Sequence, residues 1–193
     1  MSFNGSLGKA LVVDFGSDTV KVGYAGDPTP KFIIPNVYGL PKYPRILLSS
    51  GDNVTYVGSQ VNEMKGLLNI FPTLEHGSVV DVDNMGRIWS YIYGPSVLNI
   101  DPRDHPVLVT EPVLSSYKTK ESIFEYLFES LSVPAVCFAC APVLSLYGNG
   151  FHTGCVLDSG AGVTSAVAIC NGYSLTHSAK RTNIAGMFSF LSL

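Results

Sequence analysis

The sequence predicts an α/β domain organised around two related hairpins. Apolar residues make up 46% of the 193 positions and charged residues only 14%, which supports a packed core and argues against disorder. Segments with strand and helix patterning alternate after an initial run of short strands, which indicates a layered α/β fold and not an all-β barrel. The third observation is that one hairpin motif occurs twice, before and after this alternation.

The first hairpin is predicted between residues 10 and 27. An apolar run leads to Asp14, a polar turn follows at 16–19, and a second β-rich run carries Lys21. Two such runs joined by a short Gly/Ser/Asp turn are typical of a hairpin with polar groups at its tip. Turn amides and a hydroxyl can wrap an anion, Lys21 can lean towards that anion, and Asp14 can hold a hydrated Mg²⁺.

The pattern of two apolar residues, Asp, any residue and Gly then recurs. Val12, Asp14 and Gly16 correspond to Val156, Asp158 and Gly160, at a constant offset of 144 (12 to 156, 14 to 158, 16 to 160). Two such hairpins facing each other could clamp a phosphate chain from both sides. Two unrelated hairpin turns remain the alternative, because single Asp-x-Gly sequences are common in ordinary turns.

The chain between the hairpins begins with short strands. Residues 31–35 continue the strand pattern, and 37–53, rich in Gly, Pro and Ser, predict a small and mobile outer lobe. A strand at 55–57 and a helix at 58–68 follow, and 71–77 is expected to be a loop.

Helices and strands then alternate. Residues 83–93 predict a helix with one apolar face, for which Asp81 or Asp83 suits the N-terminus. The clearest helix is 116–132, whose apolar residues are spaced by three and four. Buried strands are expected at 106–110 and 135–139, Pro142 opens a helix through Tyr147, and the second hairpin spans 154–172.

Charge and hydropathy exclude several classes of protein. The net charge of −3 gives no reason to expect a nucleic-acid binder. No run reaches about 18 apolar residues, so no membrane span is predicted, and residues 1–8 lack the apolar core of a signal peptide. The same apolar composition leaves surface available for a protein partner.

Four cysteines lie at positions 137, 140, 155 and 170. Cys137 and Cys140 have C-x-x-C spacing, but no second pair has metal-ligand spacing and the flanking residues are apolar. These features predict buried thiols in preference to a redox or zinc site, which fits a reducing cytosol or nucleus.

Ordered motifs give the chain a family resemblance over about residues 11–186. They are D-x-G-S-x-x-x-K-x-G-x-A-G-D at 14–27, Y-V-G at 56–58, E-H-G-x-V at 75–79, I-W at 88–89, H-P-V-L-x-T-E at 105–111, V-L-S-L-Y at 143–147 and T-G-x-V-x-D-S-G-x-G-V-T at 153–164. In these motifs the chain resembles actin and the actin-related proteins. The resemblance implies an actin-like (ribonuclease H-like) ATPase fold, with the outer lobe and the start of the inner lobe present.

The resemblance also implies a division into subdomains. Residues 1–36 and 70–148 would form the large part of the outer lobe, and 37–69 the small outer subdomain with a mobile loop at about 41–53. Residues 149–193 would begin the inner lobe. The family continues for about as long again and supplies most of the adenosine pocket there, so we expect a shortened or alternatively spliced product or a trimmed fragment, which by itself binds ATP weakly or not at all.

A cofactor site follows from the same resemblance: ATP or ADP with Mg²⁺, held between the hairpins. Its expected nucleotide-binding residues are Gly16, Ser17, Asp18, Lys21, Asp158, Ser159, Gly160 and Gly162, and its expected metal-associated residues are Asp14 and Asp158. A purely structural role remains the alternative for these residues. Lys21 would then be a solvent-exposed charge on its strand, and Ser17 would only cap its own turn. We predict a structural role for Glu111 and a core position for Trp89, while His76 matches a histidine that the family often methylates or is a plain loop residue.

Departures from the family pattern concern the chemistry of hydrolysis. Ala141 stands where the family has the glutamine that positions the attacking water, and Ser165 replaces a histidine associated with that water. Ala161 replaces an acidic residue beside the sugar. Asp18 replaces the second glycine of the first phosphate loop, which puts a carboxylate near phosphates. No catalytic residue is therefore assigned.

The resemblance and its departures together predict an interaction protein. The first hypothesis is an actin-related subunit of a cytoplasmic, cytoskeletal assembly, with other actin-like subunits or cytoskeletal proteins as partners and little or no ATP hydrolysis. One alternative is an ATPase that polymerises. The other is a nuclear subunit of a chromatin-remodelling complex.

Overall fold

The computed structural model describes residues 7–43 and 55–186. Most of the predicted mobile loop, 41–53, and the segment 187–193 lie outside the described residues. The fold is mixed α/β, as the sequence predicted, and the strands of the described residues form four sheets. None of the helices in the described residues has the length and apolar character needed to cross a membrane.

The largest sheet of the described residues has five strands. In their order across the sheet they are β10 (Val136–Cys140), β9 (Val107–Glu111), β1 (Leu11–Phe15), β2 (Thr19–Tyr24) and β3 (Phe32–Pro35), numbered along the chain. β1, β2 and β3 pair antiparallel, whereas β1 pairs with β9 and β9 with β10 in parallel. The parallel strands need crossover connections, and the intervening helices supply them.

Two small sheets and a second larger sheet make up the rest of the β-structure between residues 7 and 43 and between 55 and 186. β4 (Val37–Pro41) lies between β5 (Tyr56–Val57) and β6 (Leu68–Pro72), and β7 (Leu74–Glu75) pairs with β8 (Ser78–Val79). The second larger sheet contains β11 (Gly154–Ser159), β12 (Thr164–Cys170), β13 (Tyr173–Ser174) and β14 (Lys180–Thr182), with β12 central. The predicted loop at 71–77 is therefore wrong in part, because β6 extends to Pro72 and β7 occupies Leu74–Glu75.

The predicted helices are present with some changes of boundary. They are α1 (Ser59–Glu63), α2 (Val82–Tyr93), α3 (Tyr117–Glu125) and α4 (Ala141–Gly148), with short 3-10 turns at Lys65–Leu67, Pro102–Asp104 and Thr176–Ser178. α1 is shorter than predicted, because Gly66 favours a break and β6 begins at Leu68. α3 continues as a π-helical turn, Tyr126–Ser130, which completes the predicted helix.

The main core lies between α2 and the five-stranded sheet. Trp89 is fully buried, as predicted, and its ring stacks on Phe15 with 5.4 Å between ring centroids. Asp81 caps α2, since its side chain accepts a hydrogen bond from the amide of Asn84. This packing fixes β1 and therefore the end of the strand at which the first hairpin turns.

The prediction of buried thiols is wrong for three of the four cysteines. Cys137, Cys155 and Cys170 are exposed and Cys140 is half-buried, and all four are free thiols. Cys137 lies on β10 and Cys155 on β11, which are edge strands of their sheets, so apolar neighbours in sequence do not enclose these two side chains. Cys170 is the last residue of the central strand β12. Local hydropathy cannot distinguish an edge strand from a central one.

Candidate phosphate-binding site

The two hairpins repeat each other in hydrogen bonding as well as in sequence. In the first, the amide of Gly16 donates to the carbonyl of Thr19 over 3.1 Å. In the second, the amide of Gly160 donates to the carbonyl of Val163 over 2.9 Å, again 144 residues on (16 to 160, 19 to 163). Both pairs of strands are antiparallel and in the corresponding register. The repeat therefore reflects two structurally equivalent turns.

The turns meet at one cavity of about 350 Å³, a size within the usual range of small-ligand pockets. Most residues that the sequence predicted for the site line this cavity. They are Asp14, Gly16, Ser17, Asp18, Lys21, Asp158, Gly160 and Gly162. The geometry thus brings together residues of both hairpins around one space.

Gly162 allows the close approach of the two tips. A Cβ at this position would lie 2.6 Å from Oγ of Ser17 and 2.9 Å from its Cβ, distances that real side chains do not adopt. The ring of His76 reaches the same point, with Nδ1 2.9 Å from the carbonyl oxygen of Gly162. Any side chain at 162 would force the hairpins apart.

Asp14 connects the first hairpin to the neighbouring parallel strand. Lys21 donates from Nζ to one carboxylate oxygen over 2.9 Å, and Thr110 donates from Oγ1 to the other over 2.5 Å. The Lys21 and Asp14 side chains are 45% and 38% exposed, so their ion pair contributes little to stability. The ammonium group of Lys21 therefore lies at the cavity in a partly exposed ion pair.

The tips also offer backbone donors. Within the described residues, the amides of Ser17 and Asp18 in the first turn, and of Ala161 and Gly162 in the second, have no hydrogen-bond partner. Successive free amides in a turn form a concave site for an anion. Two such turns with a lysine beside them fit the phosphate chain of a nucleotide.

The side-chain charges of the cavity favour a cation together with that anion. Four carboxylates line it, those of Asp14, Asp18, Glu111 and Asp158, against the ammonium groups of Lys21 and Lys120. No group of three or more His, Cys, Asp or Glu side chains is arranged to hold a metal ion in the described residues. Mg²⁺ commonly keeps several waters and binds through one or two carboxylates plus phosphate oxygens, so Asp14 and Asp158 fit it only in the company of phosphate.

The departures seen in the sequence lie at the site itself. Ala141, Ala161 and Asp18 all line the cavity. Ser165 is buried and directly opposite Asp158 across the second hairpin, at the place that Lys21 occupies opposite Asp14 in the first. Ser165 does not line the cavity, so the second hairpin has a buried hydroxyl at the position where the first presents a cation.

Two further residues complete the account of the predictions. Ser159 does not line the cavity, and its hydroxyl oxygen lies 2.9 Å from that of Thr164 across the strand pair. Glu111 lines the cavity and forms an ion pair with Lys120, with 2.7 Å between Oε2 and Nζ, which accords with a structural role.

Sequence reasoning missed Arg181 and Asn36. The Arg181 guanidinium donates to the carbonyl oxygens of Val113, Leu114 and His76, and so ties β14 to two loops of the first half. Asn36 donates to two carbonyls of the first turn. A polar residue after a strand end was the only signal for Asn36, and nothing local marks Arg181.

Comparison with known proteins agrees with the geometry. A family model described as Actin matches residues 6–190. Centractin from Schizosaccharomyces pombe is 40% identical over 176 residues, which are 91% of this chain and 46% of that protein. A protein named actin-like protein from Neurospora crassa is 40% identical over 177 residues, with the same coverage of 91% and 46%. The chain therefore spans about half the length of the curated relatives it matches.

Proposed function

Because this chain belongs to the actin family, we propose that it is an actin-like subunit of a cytoskeletal assembly that keeps phosphate-binding loops and has little or no ATP hydrolysis. The observation that carries the proposal is the cavity between the hairpins, which combines retained phosphate donors with a methyl group at Ala141. Its partners are other actin-like subunits or cytoskeletal proteins, and its location is the cytoplasmic cytoskeleton.

The nucleotide part of the proposal is ATP or ADP with Mg²⁺, bound weakly by this chain. The phosphates would be held by residues of both turns and the strands beside them: Gly16, Ser17, Asp18, Lys21, Asp158, Ser159, Gly160 and Gly162. Ser159 would contribute through its backbone, since its hydroxyl pairs with Thr164. Bound Mg²⁺, held with Asp14 and Asp158, would neutralise phosphate charge. Without it, the excess of carboxylates at the cavity would repel the nucleotide.

The proposed loss of hydrolysis follows from the alanine at position 141, where the family has a glutamine that orients the attacking water. Orientation of the attacking water supplies much of the rate of phosphoryl transfer to water, and an alanine methyl can neither donate nor accept a hydrogen bond. Calorimetry with Mg-ATP and a phosphate-release assay test this directly. We expect Ala141→Gln to raise any phosphate release without changing affinity, and hydrolysis by the unaltered chain at the rate of a working ATPase would refute the proposal.

Exposed apolar side chains support the assembly part of the proposal. On the second larger sheet Leu157 is 74% exposed and Tyr173 is 78% exposed, while Cys155 and Cys170 are exposed as well. Apolar surface of this kind is typical of faces that another polypeptide covers. Sedimentation of the purified chain tests it: a stable, well-folded monomer without partners would argue against the assembly role.

The sheets support a division of the chain into the three parts expected from the family. We propose that 1–36 with 70–148 form the large outer subdomain, 37–69 the small outer subdomain and 149–193 the beginning of the inner lobe. Limited proteolysis between β3 and β4, and after α4, would test these boundaries.

A polymerising ATPase is the second candidate, favoured by the retained Lys21 and the paired turns. Phosphate release on assembly that Lys21→Ala abolishes would support it over the first proposal. Co-purification with histones or remodelling subunits would instead favour a nuclear role.

A further inference from the structure

Two fully buried polar residues lie behind the first hairpin turn. Asn36 connects β3 to β4, and Thr73 connects β6 to β7; the side chains of both have 0% exposure. Neither residue lines the cavity. Burial of an amide and a hydroxyl is costly unless their hydrogen bonds are satisfied, so their contacts indicate what they do.

Asn36 holds the turn by two of its carbonyls. Its amide Nδ2 donates to the carbonyl of Gly16 over 2.7 Å, and its backbone N–H donates to the carbonyl of Asp18 over 2.8 Å. A carbonyl oxygen only accepts, so the nitrogen of the Asn36 side chain must face Gly16.

Thr73 fixes that orientation of the Asn36 side chain. The Thr73 hydroxyl donates to Oδ1 of Asn36, and the Thr73 amide donates to the Asn36 carbonyl over 3.5 Å. The Thr73 carbonyl in turn accepts from the amide of Val80 over 3.1 Å. A buried network whose members are all satisfied is rigid and specifies one arrangement.

The consequence for the turn follows from the geometry of the peptide bond. In a planar trans peptide, the carbonyl of one residue and the N–H of the next point in opposite directions. Asn36 donates hydrogen bonds to the carbonyls of Gly16 and Asp18, so these carbonyls point towards Asn36. The N–H groups of Ser17 and Thr19 therefore point away from Asn36. Ser17 and Thr19 line the cavity whereas Asn36 does not, which is consistent with these two N–H groups facing the cavity.

We propose that Asn36, oriented by Thr73, is the positioning residue that turns the backbone donors of the first hairpin towards phosphate. This inference rests on the proposed phosphate-binding function and adds the residue pair that prepares the site before the ligand arrives. Preorganised donors bind more tightly because they lose less freedom on binding.

The test uses Thr73→Val, which keeps the shape of the side chain and removes the hydroxyl, and Thr73→Ser, which keeps the hydroxyl. Thr153→Val is the control for the same substitution away from the site, since the Thr153 hydroxyl donates to Oδ1 of Asn171 over 3.4 Å on the surface at the far end of the second hairpin. Residual dipolar couplings report the N–H directions of Ser17 and Thr19 without any ligand. Calorimetry with Mg²⁺ and inorganic tripolyphosphate reports binding.

We expect Thr73→Val to change the couplings of Ser17 and Thr19 and to weaken tripolyphosphate binding about three- to ten-fold, the range that corresponds to one net hydrogen bond. Thr73→Ser and Thr153→Val should leave both readouts unchanged. Couplings and affinity that Thr73→Val leaves unaltered would overturn the positioning role, even if the chain binds phosphate.

Failure of the phosphate function is a separate outcome. If the unaltered chain binds no tripolyphosphate while Thr73→Val still changes the couplings, the proposed ligand is wrong and the positioning role towards phosphate is overturned with it. Asn36→Asp gives a second test in the folded protein, because a carboxylate oxygen cannot donate to the Gly16 carbonyl and should change the couplings at least as much.

Discussion

Substitution of Gly162 by alanine should separate the two hairpin tips. The new Cβ would lie 2.6 Å from Oγ of Ser17 and 2.9 Å from its Cβ. Rotation of the Ser17 side chain can move Oγ away, but it cannot move Cβ, so the backbone of one turn must shift. Overpacking of this kind costs about 1–3 kcal/mol.

Gly160→Ala is the matched control in the same turn. The nearest atom to a Cβ at 160 is the carbonyl oxygen of Val163 at 3.5 Å, an ordinary contact. Where the backbone conformation is compatible, alanine stabilises by about 0.4–1 kcal/mol because it restricts the unfolded chain. The free energies of unfolding of the two variants should therefore differ by more than about 1 kcal/mol, with Gly162→Ala the less stable.

Urea denaturation followed by the fluorescence of the single tryptophan, Trp89, measures the difference, since that side chain is buried against Phe15. The double variant Ser17→Gly/Gly162→Ala should recover most of the loss, because it removes both atoms that the new methyl group meets. Equal stabilities for Gly162→Ala and Gly160→Ala, or no recovery in the double variant, would refute the close approach of the hairpins.

Four further predictions concern single side chains. Asp81→Ala should lower the free energy of unfolding by about 1 kcal/mol at neutral pH through loss of the helix cap. The hydrogen bond from the backbone of Asn84 lowers the pKa of Asp81 below its usual 3.8. In urea titrations the stability difference between the two proteins should therefore persist above pH 3.8 and disappear as the pH falls through the folded-state pKa. Arg181→Met should destabilise by about 1–3 kcal/mol, since it leaves carbonyls that the guanidinium had satisfied, and a loss below 0.5 kcal/mol in the same titration would contradict this role. Burial raises the pKa of the Cys140 thiol, so mass spectrometry at mildly alkaline pH should find it alkylated more slowly than the exposed Cys137. Asp18→Gly should strengthen Mg-ATP binding about five-fold, the equivalent of about 1 kcal/mol of relieved repulsion, and unchanged calorimetric affinity would show that this carboxylate points away from the phosphates.

The sequence by itself determined the hairpins, most of the order of strands and helices, and the family. These features depend on local patterns: the alternation around Asp14 and Asp158, the spacing of apolar residues in α2 and α3, and the glycine-containing turns at the hairpin tips. The same patterns placed Trp89 in the core, and most of the site residues predicted from the sequence line the cavity.

Only the tertiary structure decided which distant groups meet. The bonds from Asn36 to the first turn, from Thr73 to Asn36, and from Arg181 to His76 join residues 18 to 105 positions apart (36 to 18, 181 to 76). It also decided that the thiols of Cys137 and Cys155 are exposed, because that depends on β10 and β11 being edge strands. Hydropathy and turn chemistry act over a few residues, whereas burial and long-range hydrogen bonds are set by the order in which strands pair, which no local pattern in this chain specifies.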